Sequence, residues 1–491
     1  MIRHLALLLL AAGLPAAVAV PELLGDHLVL QQRAEVPLWG WGTRPGETIT
    51  VTASWGESVE TKVGPDARWR VLLHTPAATP LKEGLKPYHI EITAPKENQI
   101  QLRDVLVGEV WLCSGQSNMV MPCGPGHPKG WCAWDTEADW ATDRPLADRP
   151  ALRLYNVQER VAAAPLDDTK GVIPGVTLPP PGPDGIIPRP ARGWQRCTPD
   201  IADGFSAVAY HLGVTLQEQL GVPVGLIVSA YGGTSISPWT SLEGHRDAAG
   251  KVPTGEAAVG RPGSLFNGMI APLMPFRLAG VAWYQGESNV GATADEYARL
   301  LRLLIADWRR ANGNSDLPFY YVQLAAIARN GDAVGNLRDA QAQVQDDPHV
   351  GMAVITDLSV PTNIHPKFKK GVGQRLARLA LARTYGRTDV AADAPRATTA
   401  TATAEGIRIA FTHADGLRTR DGKLPGGFEV AGADGVFQPA TATLDGTTVL
   451  VACPAVAKPA TVRFAWGGGF MTTLVAASGL PPGQFRLPIA P

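Results

Sequence analysis

The sequence lacks an excess of charge of either sign. Lysine and arginine together number 44, aspartate and glutamate number 45, and the formal net charge at pH 7 is −1. A chain that binds nucleic acid or an anionic membrane surface usually carries a strong basic excess or a basic patch. We therefore expect neither kind of partner.

Cysteine is also scarce. The 491 residues contain five, at positions 113, 123, 132, 197 and 453, and the chain has neither a C-x-x-C pair nor an H-E-x-x-H motif. The usual patterns of zinc sites are therefore missing, and we expect no metal. Cys123 and Cys132 flank a short loop rich in glycine and proline and are the favoured disulfide pair, whereas Cys113 is expected to be a buried thiol. The odd number leaves at least one cysteine free or paired elsewhere.

Beyond the N-terminus, no apolar run is long enough to cross a bilayer. The run at residues 5–14 follows Arg3 and His4 and precedes the small-residue pattern Ala17-Val18-Ala19. This arrangement predicts a signal peptide over residues 1–19 and export to the periplasm or the outside of the cell. A buried N-terminal helix is the alternative. After cleavage we expect no membrane segment, and export permits disulfides.

The hydrophobic pattern divides the chain into three further regions. Residues 20–104 contain short β-branched runs between turn signals and predict an N-terminal β-sandwich-like domain. Residues 105–390 alternate between apolar strands and amphipathic helices, which predicts an α/β domain with a mostly parallel sheet between two helical layers. Residues 391–491 return to β-branched strands and predict a C-terminal β region.

Within the α/β region, the clearest helix is predicted at residues 295–311, because apolar residues recur there at helical spacing and Gly313 follows as a stop signal. The other expected elements are helices at 206–220 and 369–385 and strands at 224–230, 279–284, 319–324 and 352–357. Residues 124–194 break the alternation and predict a long insertion. It either shapes the substrate pocket or is a solvated loop without a role.

Ser117 follows an apolar run in the turn Gly115-Gln116-Ser117-Asn118. The run predicts a buried parallel strand, and the residue after such a strand lies at the carboxyl edge of the sheet, where ligands bind. Ser117 is thus placed like a nucleophile. The turn is not the G-x-S-x-G elbow, because Met119 stands where that motif needs glycine. Taken alone, an ordinary turn serine explains the pattern equally well.

Three further stretches change that balance. They follow the GQSNM stretch in a fixed order and spacing, and they are residues 231–235 (YGGTS), 283–289 (WYQGESN) and 363–366 (NIHP). With Asp26-His27 and Leu30-Gln31-Gln32 near the N-terminus, these stretches resemble the sialate O-acetylesterase family, a branch of the SGNH (GDSL-like) hydrolases. The resemblance covers most of the chain and implies an SGNH-type fold and a serine esterase acting on acetylated carbohydrate.

The resemblance implies roles for specific residues. Ser117 would be the nucleophile and His365 the base, while the N–H groups of Ser117 and Gly233 would bind the oxyanion. A side-chain amide should join them, with Gln285 as the first choice and Asn289 as the second. Glu287 could hold its loop, orient His365, or be a buried structural carboxylate.

The third triad member is open. SGNH enzymes usually carry aspartate three residues before the catalytic histidine, but Thr362 occupies that position here. Asp357, at the end of a predicted strand, is a tentative candidate for the catalytic set. Otherwise a backbone carbonyl or a neutral side chain orients His365, which leaves a Ser-His dyad.

The expected function is removal of O-acetyl groups from sugars through an acetyl-serine intermediate, with O-acetylated sialic acid as the first candidate substrate. No metal or organic cofactor is needed. The alternatives are an esterase acting on acetylated xylan or another polysaccharide, and a non-catalytic carbohydrate-binding protein on a hydrolase scaffold. The missing aspartate favours the binding protein, and the intact set of Ser117, Gly233, Gln285 and His365 argues against it. The oligomeric state is left open.

Overall fold

The computed structural model describes residues 18–95, 99–124, 137–172, 193–249, 260–328 and 331–491. The N-terminal part is all β, as predicted. β2 pairs with β5, and β3 pairs with β4 and β6, always antiparallel. The six strands are β1 (Val29–Gln31), β2 (Glu35–Trp41), β3 (Thr48–Ala53), β4 (Glu57–Lys62), β5 (Arg68–His74) and β6 (Tyr88–Thr93).

One long strand, β7 (Ile100–Gly115), connects the N-terminal strands to the central sheet. Its beginning pairs antiparallel with β6, and its middle pairs parallel with β1. Its final residues form the middle of the central sheet. The boundary predicted at residues 104 and 105 therefore lies inside one strand, because both regions extend the same backbone ladder.

The central sheet has the strand order β13-β12-β11-β7-β10-β8-β9 and is parallel except for the β8–β9 pair. Every residue of β10 to β13 is buried, as expected for strands covered on both faces. The strands are β8 (Arg149–Asn156), β9 (Gln195–Cys197), β10 (Val224–Ala230), β11 (Gly280–Tyr284), β12 (Phe319–Val322) and β13 (Val350–Ala353).

Alternate residues of β11 point to opposite faces of the sheet. Trp283 packs on the face covered by α6 and α7, and Tyr284 packs on the face covered by α4 and α8. The helices are α1 (Ser117–Val120), α2 (Glu137–Asp143), α3 (Pro199–Asp203), α4 (Ala207–Leu220), α5 (Leu242–Ala249), α6 (Ala294–Asn312), α7 (Asp332–Ala342) and α8 (Lys369–Leu379). The predicted three-layer α/β fold is confirmed.

Helix α6 agrees closely with its prediction. The Thr293 side chain accepts a hydrogen bond from the Glu296 N–H at 3.2 Å, and Gly313 ends the helix with a φ of +68°. The helix predicted at 369–385 is α8 followed by a single π turn over Ala380–Thr384.

The structure corrects the prediction that residues 124–194 form an insertion. Its described part contains α2 and β8, and β8 is an integral strand that pairs with β10. Arg153 interrupts the apolar run of β8 and hid the strand in the sequence. In the structure the guanidinium is fully buried, and it is satisfied by hydrogen bonds of 2.6 and 3.1 Å to the Asp104 carboxylate.

The C-terminal region forms its own β-rich sheet with a separate apolar core. It packs against the α/β region, where Trp466 lies so close to Gly335 of α7 that a Cβ there would be 2.7 Å from the indole nitrogen. The strands are β14 (Arg396–Thr403), β15 (Gly406–Thr412), β16 (Arg418–Thr419), β17 (Phe428–Ala431), β18 (Gln438–Pro439), β19 (Thr441–Asp445), β20 (Thr448–Ala452), β21 (Thr461–Phe464), β22 (Leu474–Val475) and β23 (Phe485–Ala490).

Two sequence predictions involve residues outside the described ranges. Residues 1–17 of the predicted signal peptide lie there, as does Cys132, so the Cys123–Cys132 disulfide stays a prediction. Cys113 is fully buried, as expected, and its thiol is free. Within the described ranges, no helix combines the length and the apolarity needed to span a membrane.

Candidate active site

The strand ends of β7, β10 and β11 meet at one point of the sheet. Gly115 is in register with Ala230 on one side and with Tyr284 on the other. The loops that follow these three strands therefore begin side by side at the carboxyl edge. The loop after β13 supplies the fourth segment of the site, which contains His365.

The turn before Ser117 requires glycine. Gly115 has a φ of +139°, and a Cβ at this position would lie 2.1 Å from the carbonyl oxygen of Tyr284. The Gln116 N–H donates to that same oxygen at 3.0 Å. Together these contacts turn the chain sharply and place Ser117 at the first position of α1.

Ser117 and His365 are brought together as predicted. The Nε2 of His365 lies 3.0 Å from the Oγ of Ser117, and Ser117 is 6 % exposed. The His365 N–H donates to Oδ1 of Asn363 at 2.9 Å, which fixes the backbone next to the ring. Burial, reinforced by the nearby Lys369 charge, lowers the pKa of His365 to about 4. The imidazole is therefore neutral at pH 7 and can accept a proton from Ser117.

The N–H groups of Ser117 and Gly233 are the two backbone donors expected to bind the oxyanion. Gly233 is exposed and has a φ of +75°. A Cβ added at this position would have no protein atom within 4 Å. The positive φ favours glycine at this position. Among the described residues, none accepts a hydrogen bond from the N–H of Gly233 or of Ser117.

The structure separates the two candidate amides. Gln285 is fully buried, and its Nε2 faces three internal oxygens, at 2.7 Å from Asn289, 3.1 Å from Thr234 and 3.2 Å from Gln116. Its Oε1 accepts from the Tyr297 hydroxyl at 2.9 Å. The first choice for the oxyanion donor is therefore directed into the protein, and its amide organises the loop.

Asn289 has the opposite arrangement. Its Oδ1 accepts from Gln285 and, at 3.0 Å, from the Ile236 N–H, so the carbonyl end of the amide is fixed toward the protein. Its Nδ2 donates to no residue in the described ranges, and the side chain is partly exposed. The geometry thus favours Asn289, the second choice, as the side-chain donor.

The structure contradicts the tentative assignment of Asp357 to the catalytic set. Its carboxylate is fully buried, and both oxygens accept hydrogen bonds from Arg375 of α8, at 2.6 and 2.7 Å. One of them also accepts from Arg420 at 2.7 Å. The side chain therefore joins α8 to the C-terminal region instead of orienting His365. Its position at a strand end was visible in the sequence, but the two arginines that bind it were not.

Sequence reasoning missed two residues behind the site, Asn118 and Lys369. The Asn118 amide nitrogen donates to Glu287 and to the Ile364 carbonyl, and the Lys369 ammonium donates to the Asn118 oxygen. Burial raises the pKa of Glu287 and lowers the pKa of Lys369 to about 7. Of the roles considered for Glu287, the structure shows a buried carboxylate that contacts Asn118. The only signal in the sequence for Asn118 was its position next to Ser117.

Comparison with known proteins agrees with this geometry. Residues 107–382 match the family described as carbohydrate esterase, sialic acid-specific acetylesterase. The chain belongs to this family. The match contains all four loops of the site, and it covers more than half of the chain.

Two curated relatives match a larger part of this acetylesterase than the family does. It is 30 % identical to the sialate O-acetylesterase of Mus musculus in an alignment of 438 residues, and the match covers 75 % of this chain and 74 % of the mouse protein. It is 31 % identical to the sialate O-acetylesterase of Pongo abelii in an alignment of 417 residues, and that match covers 76 % of this chain and 72 % of the other protein.

A solved structure covers nearly the whole chain. It is a carbohydrate acetylesterase from Xanthomonas citri, 32 % identical, with a TM-score of 0.81 over 96 % of this chain and 99 % of that one. The shared fold therefore includes the N- and C-terminal β regions. Family membership makes the protein a carboxylic ester hydrolase, which sets aside the non-catalytic binding scaffold.

Proposed function

We propose that this protein is an exported serine esterase that removes O-acetyl groups from sugars, with O-acetylated sialic acid as the first substrate. The observation that carries the proposal is the 3.0 Å distance between the Ser117 Oγ and the His365 Nε2. The N–H groups of Ser117 and Gly233, which have no acceptor among the described residues, belong to the same edge of the sheet. Nucleophile, base and oxyanion donors are the three parts that acyl transfer requires.

In the first half of the reaction, His365 takes the proton of Ser117 as the Oγ bonds to the acetyl carbonyl carbon. The carbonyl oxygen becomes an oxyanion, which accepts hydrogen bonds from the N–H groups of Ser117 and Gly233 and from the Asn289 amide. When the ester C–O bond breaks, His365 returns the proton to the departing sugar oxygen. Water then attacks the acetyl-serine while His365 takes its proton. The bond between the acetyl carbon and the Ser117 Oγ breaks, His365 returns the proton to Oγ, and acetate leaves.

In this mechanism Asp357 does not orient the base. Its carboxylate is occupied by Arg375 and Arg420, so a Ser117–His365 pair oriented by other groups acts without it.

The sugar is inferred from the relatives. The mammalian relatives are named sialate O-acetylesterases, which supports sialic acid, whereas the Xanthomonas citri structure is described only as a carbohydrate acetylesterase. That second observation keeps acetylated xylan or another acetylated polysaccharide as the alternative. Export is supported by the signal-peptide pattern at residues 1–19, and N-terminal sequencing of the mature protein beginning near Val20 would test it.

The substrate experiment compares acetate release from O-acetylated sialic acid and from acetylated xylan, with Ser117→Ala as the matched control. Faster release from the sialic acid, abolished in the variant, supports both nucleophile and substrate. Release from xylan alone keeps the mechanism and replaces the sugar. Release that survives Ser117→Ala contradicts the mechanism.

A further inference from the structure

One buried amide connects three of the four segments that build the proposed site. Asn118 follows Ser117 directly and is fully buried. Its Nδ2 donates to the Glu287 carboxylate and, at 3.1 Å, to the carbonyl oxygen of Ile364. Its Oδ1 accepts from the Lys369 ammonium. Both amide hydrogens and the amide oxygen are therefore used.

Two of these contacts, Ile364 and Glu287, lie close in sequence to residues with a role in the reaction. Ile364 immediately precedes His365, so its carbonyl position helps to set the backbone of the base. Glu287 lies in the same short 3₁₀ turn as Asn289, the side-chain oxyanion donor. Because Asn118 is itself bonded to Ser117, one side chain connects the nucleophile, the base and the oxyanion donor.

The surroundings of the amide fix its orientation. Lys369 is 1 % exposed and Glu287 is 9 % exposed, and they contact opposite ends of the Asn118 side chain. Lys369 also lies over the Tyr284 ring, 5.4 Å from its centroid. Buried charges require hydrogen-bond partners, and a neutral amide supplies a donor to the acid and an acceptor to the lysine. Aspartate could not do both, because its carboxylate would face that of Glu287.

We propose that Asn118 is a positioning residue for the esterase reaction: its amide holds the Ile364–His365 backbone and the Glu287–Asn289 turn at fixed positions relative to Ser117. Glu287 and Lys369 keep the amide in the one orientation in which this is possible. The inference rests on the proposed function, since it assigns a role in the reaction of Ser117 and His365.

The test separates this bridging role from charge balance. Asn118→Asp removes both donors and places two carboxylates together, so we expect a lower Tm and a lower kcat. The double variant Asn118→Asp, Glu287→Gln has the wild-type net charge, and the new amide can donate to the new carboxylate, which still pairs with Lys369. Only the donor to the Ile364 carbonyl stays missing.

Kinetics are measured with p-nitrophenyl acetate, so that the outcome does not depend on the identity of the sugar. We expect the double variant to recover most of the Tm, to keep KM within about twofold, and to remain about 10²-fold low in kcat, the loss that small misplacements of catalytic groups produce. Recovery of kcat together with Tm would show that Asn118 only balances charge, and would overturn the proposal.

A second variant applies if the double variant stays unstable. Asn118→Ala removes the amide without adding a charge, so Glu287 and Lys369 can still neutralise each other. We expect KM within about twofold of wild type and kcat about 10²-fold low, and a kcat within a few-fold of wild type contradicts the proposal. Ser117→Ala in the same assay tests the proposed function separately from the role of Asn118. Full activity of Ser117→Ala would contradict the serine esterase mechanism itself.

Discussion

The Oγ of Ser117 lies 3.0 Å from Nε2 of His365, although 248 positions separate the two residues in the chain. The imidazole must be neutral to accept the serine proton, and burial and Lys369 lower the pKa of His365 to about 4. We therefore predict that kcat/KM falls only as the pH drops through about 4. The profile is measured between pH 3 and pH 8, and an acidic limb near 6.5 would contradict the assigned environment of His365.

Replacing Lys369 should move that limb. The lysine charge lowers the pKa of His365, so Lys369→Met should raise this pKa and shift the acidic limb of kcat/KM toward higher pH. Lys370→Met is the matched control, because it removes a lysine from the next position of the same helix, where the side chain pairs with Asp143 at 2.8 Å. Equal profiles for Lys369→Met and wild type would exclude an electrostatic effect of Lys369 on the base.

Gln285 and Asn289 lie in the loop after β11, and removing their amides should have different effects on kcat and Tm. Asn289→Ala should lower kcat by about 10²–10³-fold, the usual loss of an oxyanion donor, with little change in KM. It should also lower Tm, because the Ile236 N–H and the Gln285 amide lose an acceptor. Gln285→Ala should lower Tm further, because the Gln285 side chain is fully buried and its loss also leaves the Tyr297 hydroxyl without that bond. The two variants are compared by steady-state kinetics and thermal unfolding. An unchanged kcat in Asn289→Ala would return the role to another donor.

Asp357→Asn tests the assignment of that carboxylate to structure. It leaves Arg375 and Arg420 without their buried counter-charge, so the free energy of unfolding should fall by about 3–5 kcal/mol. The kcat of the folded fraction should stay within a few-fold of wild type. If Asp357 were the third triad member, kcat would instead drop by about 10⁴-fold with little loss of stability.

The sequence alone determined the elements that depend on local pattern. The apolar run before Ser117, the amphipathic stripe of α6 and the glycine at position 115 are each read from neighbouring residues, because strand burial, helix periodicity and turn geometry are local properties. Parallel strands place their carboxyl ends at one edge, so the convergence of Ser117 and His365 also followed, once the family resemblance had marked the histidine.

Tertiary structure decided which partner each polar group has. Arg153 became a buried strand residue because Asp104 neutralises it, and Asp357 was bound by Arg420, 63 residues away. Gln285 and Asn289 carry the same amide, and only the surrounding donors and acceptors turn one inward and leave the other available. Hydrogen bonds depend on direction and on distances of about 3 Å, and no pattern along the chain specifies the contacts that distant segments make in the folded protein.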